Sequence, residues 1–303
     1  MYMETSTSIA VPGKRRPSVP RTALAPHFDG NPKATEQIAK AHRMRLYEMM
    51  VISEPTIRSE EMELHFVGMP LRYWPRVNGA TLQWHLDIVH EFIDGLTRSD
   101  VLLAPPVVRW RHVPDRGFSE VIVCTWDRLG LLAKIAGAFA AVGLNIVRAD
   151  IYTRADNVVL DVFQVCDEEL RDVRDASRLK QMEQLLTVAL SPNGGGEAAL
   201  RTWMRYADEP ATAGFSVAPV VVLDNEQSKD YTVLEVQAFD RVGLLHNILE
   251  AVSSCNVDIA HAVIVTEQGE AADVFFLTDT NGLRIRDAKR LEQIRQAVLA
   301  ALG

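Results

Sequence analysis

Apolar residues follow the same series of periods twice along the chain. In each repeat, two runs with alternating apolar positions precede a run in which apolar residues recur every three or four positions. Two further alternating runs and a final amphipathic run follow. Alternation is typical of half-buried strands and the longer period of helices. Each repeat is therefore predicted to have the order strand–strand–helix–strand–strand–helix.

The predicted elements occupy matching places in the two repeats. The first repeat has strands in "VVRW" and "SEVIVCTW", a helix over Leu131–Val142, strands over Asn145–Thr153 and in "NVVLDVFQV", and a helix over Asp172–Leu190. The second has strands in "PVVVL" and "DYTVLEVQAF", a helix over Leu244–Ser254, strands in "VDIAHAVIVT" and "ADVFFLTD", and a helix over Arg286–Leu302.

The turn before each first helix shows the repeat most clearly. "DRLGLLAKIAGAFAAVGLNI" (Asp127–Ile146) returns 113 residues later as "DRVGLLHNILEAVSSCNVDI" (Asp240–Ile259), with eight of twenty positions identical. Asp161 returns as Asp273, which is 112 residues later. One residue has therefore been lost, and we assign the loss to the β-turn at Ala155–Asn157.

The element order predicts the fold class, α+β with antiparallel sheets. Two helices can cover only one face of a four-stranded sheet, so each repeat is expected to be a two-layer sandwich. A ferredoxin-like unit needs a last strand after its second helix, and the second repeat has none before Gly303. We expect each repeat's first strand to fill that edge as a hairpin, which gives a circularly permuted ferredoxin-like unit. The alternative makes "PVVVL" the last strand of the first repeat.

Five segments are predicted along the chain. Residues 1–30 are rich in Ser, Pro, Thr and basic side chains and are expected to form a disordered tail. A small helical region is expected over residues 31–104, the first repeat over 105–191, a linker over 192–217 and the second repeat over 218–303. The helical region is predicted to contain helices over Lys33–Met50, Glu60–Phe66 and Ala80–Leu96.

Composition excludes several classes of function. The formal net charge is −8 and no basic field covers the chain, so we expect no nucleic-acid partner. No apolar run is long enough to cross a membrane, and the N-terminus lacks the apolar core of a signal peptide. The three cysteines (Cys124, Cys166 and Cys255) lie in apolar runs without a CxxC pair, which indicates reduced, buried thiols. We expect a cytoplasmic protein without a membrane partner.

No arrangement of residues predicts catalysis or metal binding. No Ser/His/Asp or Cys/His set stands out by its spacing, and His85 and His90 are five positions apart on a predicted helix, so they do not share a face. The "GGG" of the linker lacks the Lys-Ser/Thr of a phosphate-binding loop. We therefore expect no catalytic residue, no metal ligand and no cofactor.

A strand, "D-R-x-G-L-L", a helix and then "N/D-I" at the next strand resemble ACT domains, which are ferredoxin-like regulatory modules that bind amino acids. "DNEQSKDYTVLEVQAFDRVGLLHNI" and "FVGMPLRYWPRVNGATLQWHL" resemble in particular the C-terminal region of bacterial PII uridylyltransferase/uridylyl-removing enzymes. The resemblance covers about residues 60–303. The Pro that is usual in "DRPGLL" is replaced by Leu129 and Val242.

The catalytic motifs of that enzyme family are not in this chain. There is no Gly-Ser dipeptide or Asp-x-Asp of the transferase half and no His-Asp dyad of the hydrolase half. The resemblance therefore implies a regulatory protein without catalytic domains, in nitrogen or amino-acid sensing. One alternative is the regulatory part of a split uridylyltransferase, with a PII-type protein or a separate catalytic chain as partner. A second is a structural module that forms homodimers through ACT sheets.

The resemblance places the ligand at the turn before each first helix. Glycine lets a ligand approach the backbone, and a helix N-terminus offers N–H groups and a positive dipole end to a carboxylate. An Asn or Asp side chain at the start of the next strand accepts from an α-ammonium. The candidate ligand-binding residues are Gly130, Leu131, Asn145 and Ile146 in the first repeat and Gly243, Leu244, His246, Asp258 and Ile259 in the second.

The resemblance makes glutamine the leading ligand. We expect the two sites to be unequal, because Asn145 in one corresponds to Asp258 in the other. His246 follows the second turn directly, where it either reaches the ligand side chain or lies on the surface. Asp127 and Asp240 are expected only to cap their helices.

Overall fold

The computed structural model describes residues 32–53, 59–98, 105–113, 117–167, 169, 171–190, 218–267 and 269–303. The predicted tail over residues 1–30 and the linker over 192–217 lie outside these ranges. None of the helices within them has a stretch apolar and long enough to span a bilayer.

The helical region contains the three predicted helices, each a few residues longer than expected. They are α1 (Pro32–Ser53), α2 (Ser59–Gly68) and α3 (Gly79–Arg98), with a 3₁₀ turn at Leu71–Arg76 between the last two. On α3 the side chains of Leu82, Val89 and Phe92 are almost fully buried.

Both repeats have the predicted element order. The first consists of β1 (Val107–Val113), β2 (Phe118–Trp126), α4 (Leu131–Ala141), β3 (Asn145–Asp150), β4 (Val158–Cys166) and α5 (Ala176–Ala189). The second consists of β5 (Val220–Asp224), β6 (Thr232–Phe239), α6 (Leu244–Ser254), β7 (Val257–Glu267), β8 (Glu270–Asp279) and α7 (Ala288–Leu302).

The strands form one antiparallel sheet in the order β1-β2-β4-β3-β7-β8-β6-β5. Val107 lies opposite Cys124 and Val222 opposite Glu235, so both predicted hairpins are confirmed. The alternative, with "PVVVL" in the first repeat, is wrong because β5 pairs with β6 at the far edge of the sheet. Each repeat is thus a circularly permuted ferredoxin-like unit.

The two repeats join through β3 and β7 at the centre of the sheet. Asp150 pairs there with Val263, which is its own counterpart in the second repeat, so an approximate twofold axis passes between them. The residue lost between the repeats lies in the predicted turn. Asn157 and Gly269 both have positive φ, and their carbonyls accept from the backbone N–H of Asp127 and Asp240 at 2.9 Å.

The four helices of the repeats cover one face of the sheet and form a single core with it. Phe139 on α4 packs against Phe163 on β4, with ring centroids 5.1 Å apart, and Phe275 and Ile248 are equally buried in the second repeat. The opposite face of the first repeat's sheet is covered by the helical region, which adds a third layer to the predicted two.

The core of the helical region contains a buried polar chain of three rings. The Tyr73 hydroxyl lies 3.2 Å from His65 Nε2 and 2.9 Å from His85 Nδ1, and all three side chains are buried. Burial lowers the pKa of His65 well below its usual range and that of His85 to about 3. Both imidazoles are therefore neutral at physiological pH.

The helix predicted from Asp172 instead begins at Ala176. Asp175 has extended backbone, and its carboxylate accepts from Ser177 N–H at 2.9 Å, which makes it the N-cap. Val173 N–H donates to Ser119 Oγ at 3.1 Å, so this part of the chain is tied to the sheet instead of the helix. In the same way α7 begins at Ala288, capped by Asp287, and not at Arg286.

Candidate ligand site between the two repeats

Glycines begin the two central helices. Gly130 has φ of 75° and Gly243 of 85°, which is the left-handed region that favours glycine, and each is the N-cap of its helix. The expectation that Asp127 and Asp240 cap these helices is wrong, because neither N-terminus receives a side-chain cap hydrogen bond.

Each glycine turn faces the other repeat. A Cβ atom on Gly130 would lie 3.2 Å from Ser253 Oγ, near the end of α6, and one on Gly243 would lie 3.8 Å from Ala140 Cβ, near the end of α4. Ser253 and Ala140 are equivalent positions, so α4 and α6 are antiparallel neighbours. The structure therefore forms two related clefts, each with walls from both repeats. The first cleft lies beside Gly130 and the second beside Gly243.

The first cleft contains a cavity of about 40 Å³. Gly130 and Leu131 line it from the first repeat, and Asp258 and Ile259 line it from the second. These four predicted residues are thus brought together, although they belong to different repeats. The cavity has room for roughly three water molecules.

Carboxyl groups dominate the polar lining of the first cavity. Asp127 and Asp258 come from opposite repeats, and Asp161 lies among the deeper residues, almost fully buried. Burial and then the charge of Asp258 raise the pKa of Asp127, and burial raises that of Asp161 well above its usual range. Arg128 also lines the cavity, where its guanidinium donates to the Leu190 carbonyl. Such a site suits a ligand with an ammonium group.

Asp161 was not among the predicted ligand residues. Its Oδ1 accepts from Tyr152 N–H at 3.1 Å, where the backbone leaves β3. Asp273 does the same for Val265 N–H at 3.3 Å in the second repeat. The repeated "DVF" in two apolar strands was the available signal, because a charged side chain in a buried strand needs an explanation.

The second cleft is closed by a hydrogen bond. Asn145 Nδ2 donates to Asp240 Oδ2 at 2.7 Å, and this bond again crosses between the repeats. Burial raises the pKa of Asp240, while its hydrogen bonds to Asn145 and Thr266 act in the opposite direction. Ile146 and Leu244 are buried in the core.

His246 lies between α4 and α6. Its Nδ1–H donates to the Ala133 carbonyl at 2.8 Å, its Nε2 is 3.3 Å from a Glu250 carboxylate oxygen, and its ring covers Gly137. The side chain is buried, so the expectation of a surface histidine is wrong. In this structure His246 holds the two repeats together.

Glycine is expected to be required at position 137, because the His246 ring leaves no room for a side chain there. A Cβ atom on Gly137 would lie 2.9 Å from His246 Nδ1, so Gly137→Ala should lower the free energy of unfolding by about 1–3 kcal/mol through overpacking. In a His246→Ala background the same change should stabilise by up to about 1 kcal/mol, because alanine is the better helix former. Urea unfolding of the four proteins measures both values. If Gly137→Ala changed the free energy of unfolding in the same direction in both backgrounds, the His246 ring would not be what excludes a side chain at position 137.

Known protein families match the two repeats. Residues 120–185 match the model of the ACT domain, and residues 220–302 match that of the ACR9-like, ACT-like domain. The chain therefore contains two ACT-type domains in tandem, as its motifs indicated.

Curated relatives narrow the class further. The bifunctional uridylyltransferase/uridylyl-removing enzyme of Gluconobacter oxydans is 36% identical over 240 residues, which is 78% of this chain and 24% of that enzyme. Enzymes of the same name from Rhodospirillum rubrum and Bradyrhizobium sp. (strain ORS 278) are 32% and 38% identical, over 81% and 63% of this chain. The chain spans about a quarter or less of the length of these relatives and resembles their regulatory part.

Proposed function

We propose that the chain binds a free amino acid between its two ACT-type domains and passes the bound state to another protein. Two ACT-type domains and the likeness to the regulatory part of uridylyltransferases support a regulatory role. The cavity beside Gly130 carries the ligand proposal, because it brings the start of a helix and two carboxylates from different repeats to one space.

The chemistry of the cavity suits both charged ends of an amino acid. The first N–H groups of an α-helix have no acceptor within the helix. In α4 the Leu131 N–H already donates to the Arg128 carbonyl at 3.0 Å. The next two residues, Leu132 and Ala133, line the cavity and carry the N–H groups proposed for a ligand. They and the positive end of the helix dipole bind the α-carboxylate. The α-ammonium lies against the carboxylates of Asp127 and Asp258, which come from opposite walls.

Binding must widen the cleft. Room for roughly three water molecules is too little for an amino acid, because even glycine has about five heavy atoms, so the side chains of Leu249 and Ser253 or the two repeats themselves have to move apart. A ligand that favours the wider state shifts the population towards it. Movement between the repeats is then the signal that a partner reads.

Glutamine is the ligand we propose first, since the uridylyltransferase relatives are the basis for a role in nitrogen sensing. The partner is then a PII-type protein or a separate catalytic chain. We place the protein in the cytoplasm, where free amino acids and such partners are found. We expect this chain alone, incubated with PII protein, UTP and Mg²⁺, to transfer no uridylyl group, and transfer of label would contradict a purely regulatory role.

Calorimetry with the twenty amino acids tests the proposal. At least one should bind saturably, and Gly130→Val should weaken it at least tenfold, because the new side chain meets Ser253 across the cleft. Gly282→Val is the matched control. Gly282 has φ of 74° but no neighbour within 4 Å, so it carries the same backbone cost of roughly 1–2 kcal/mol away from the cleft.

The control separates the loss of the site from the loss of the fold. We expect the two variants to lose similar stability and only Gly130→Val to lose affinity. The proposal fails if no amino acid binds the wild type, or if both variants bind as the wild type does.

A further inference from the structure

The two clefts differ in one exchanged residue. Asp127 and Asp240 occupy equivalent positions, but Asn145 in the first repeat corresponds to Asp258 in the second. Each aspartate of the turn meets the strand start of the opposite repeat. One cleft therefore pairs Asp240 with Asn145, and the other pairs Asp127 with Asp258.

The Asp240–Asn145 pair is already satisfied. The amide of Asn145 donates to the carboxylate at 2.7 Å, and Thr266 supplies a second side-chain hydrogen bond to the same group. Asn145 is buried and the hydrogen bond is half-buried, so an ammonium group entering here would break this bond and leave the amide without its partner. Leaving a buried polar group unsatisfied is costly.

The Asp127–Asp258 pair is in the opposite state. Ionised carboxylates only accept hydrogen bonds, so the two cannot satisfy each other, and their like charges repel. Asp258 Oδ1 accepts from Ile259 N–H at 2.9 Å, which still leaves acceptor sites towards the cavity. A cation between the two carboxylates removes the repulsion and supplies donors to both.

We infer that the chain binds one ligand molecule, with the ligand's ammonium group between Asp127 and Asp258, and that the Asn145–Asp240 hydrogen bond locks the equivalent cleft shut. This inference rests on the proposed function and assigns it to one of two related clefts. The ligand class is a small molecule with a primary ammonium group beside a carboxylate. The corresponding 2-hydroxy acid, which lacks the ammonium, should not bind.

Calorimetry with L-glutamine and the other amino acids as probes tests this assignment. The wild type should bind one molecule per chain. Asp258→Asn should lower the affinity at least tenfold, because it removes a charge and recreates in the first cleft the Asp–Asn pair that closes the second. Asp230→Asn, which removes one carboxylate from an exposed position outside the cavity, is the control and should bind as the wild type does.

Failure of the inference differs from failure of the proposed function. Two equal sites per chain would overturn the inference but leave amino-acid binding intact. The inference would also fail, with amino-acid binding intact, if Asn145→Ala lowered the affinity tenfold and Asp258→Asn left it unchanged. The ligand would then lie in the second cleft. Absence of binding by any amino acid to the wild type would overturn both. Thermal unfolding of Asp258→Asn confirms that the variant is folded, and since Asp258 is exposed we expect little change.

Discussion

Asp273→Asn is expected to make the protein more stable than the wild type at pH 9. The free energy of unfolding of the variant minus that of the wild type should be several kcal/mol larger at pH 9 than at pH 5. Asp273 is almost fully buried, and burial raises the pKa of its carboxyl group to about 8 in the folded protein, against about 3.8 in the unfolded chain. Between these values the folded state holds a proton that the unfolded state has lost. Stability contributed by this group therefore falls by about 1.4 kcal/mol per pH unit as the pH rises, and it is constant above pH 8.

Asparagine removes this dependence because it has no proton to lose. Its carbonyl oxygen still accepts from Val265 N–H, so the hydrogen bond at that position is retained. Urea unfolding of both proteins at pH 5, 7 and 9 gives the difference, in which all other titrating groups cancel. Asp161→Asn should show the same sign, whereas the exposed Asp230→Asn should show no trend. Equal differences at all three pH values would mean that folded Asp273 is already ionised at pH 5.

Tyr73→Phe is expected to lower the free energy of unfolding by about 2–4 kcal/mol. The hydroxyl is the shared partner of two neutral imidazoles, those of His65 and His85, and its loss leaves one ring nitrogen of each without a partner. Rotation of the two imidazole rings does not compensate for the lost hydrogen bonds. His65 Nδ1 and His85 Nε2 are already buried without a partner in the described part of the chain, so turning either ring over gains nothing.

Tyr47→Phe is the matched control for this change. Tyr47 is half-buried in the same helical region, with its ring edge-on to Phe66 at 5.1 Å, and surface substitutions of this kind usually change stability by less than about 0.5 kcal/mol. Urea unfolding of both variants measures the difference. If Tyr73→Phe and Tyr47→Phe lowered the free energy of unfolding equally, the buried hydroxyl of Tyr73 would contribute no more to stability than the half-buried hydroxyl of Tyr47.

Most of the fold was predictable because its signals are local. Alternation and helical periodicity depend on neighbours within one element, and the repeat 113 residues later tested every assignment a second time. The β1–β2 and β5–β6 hairpins fill the edge that the last strand occupies in a ferredoxin-like unit. The start of α5 was harder, because "CDEELRDVRD" offers several acidic residues as caps and a contact with Ser119, distant in sequence, decides among them.

The site was only partly predictable because its walls come from different repeats. No local pattern indicates which edge strands meet, so the sequence could not show that Asn145 reaches Asp240 or that Gly130 faces Asp258. His246 was ambiguous for the same reason. One signal was available, since Gly137 interrupts a run of good helix formers and such a glycine often marks a close approach by another element.

The central pairing of β3 with β7 determines how the cleft responds to dilution. Both of its walls belong to one polypeptide, so each is held near the other at an effective concentration on the order of millimolar, however little protein is present. A cleft between separate subunits would fall apart as its subunits dissociate, and its ligand affinity would then depend on expression level. Here a single molecule carries the whole cleft, and its affinity for the ligand should be the same at nanomolar and at micromolar protein.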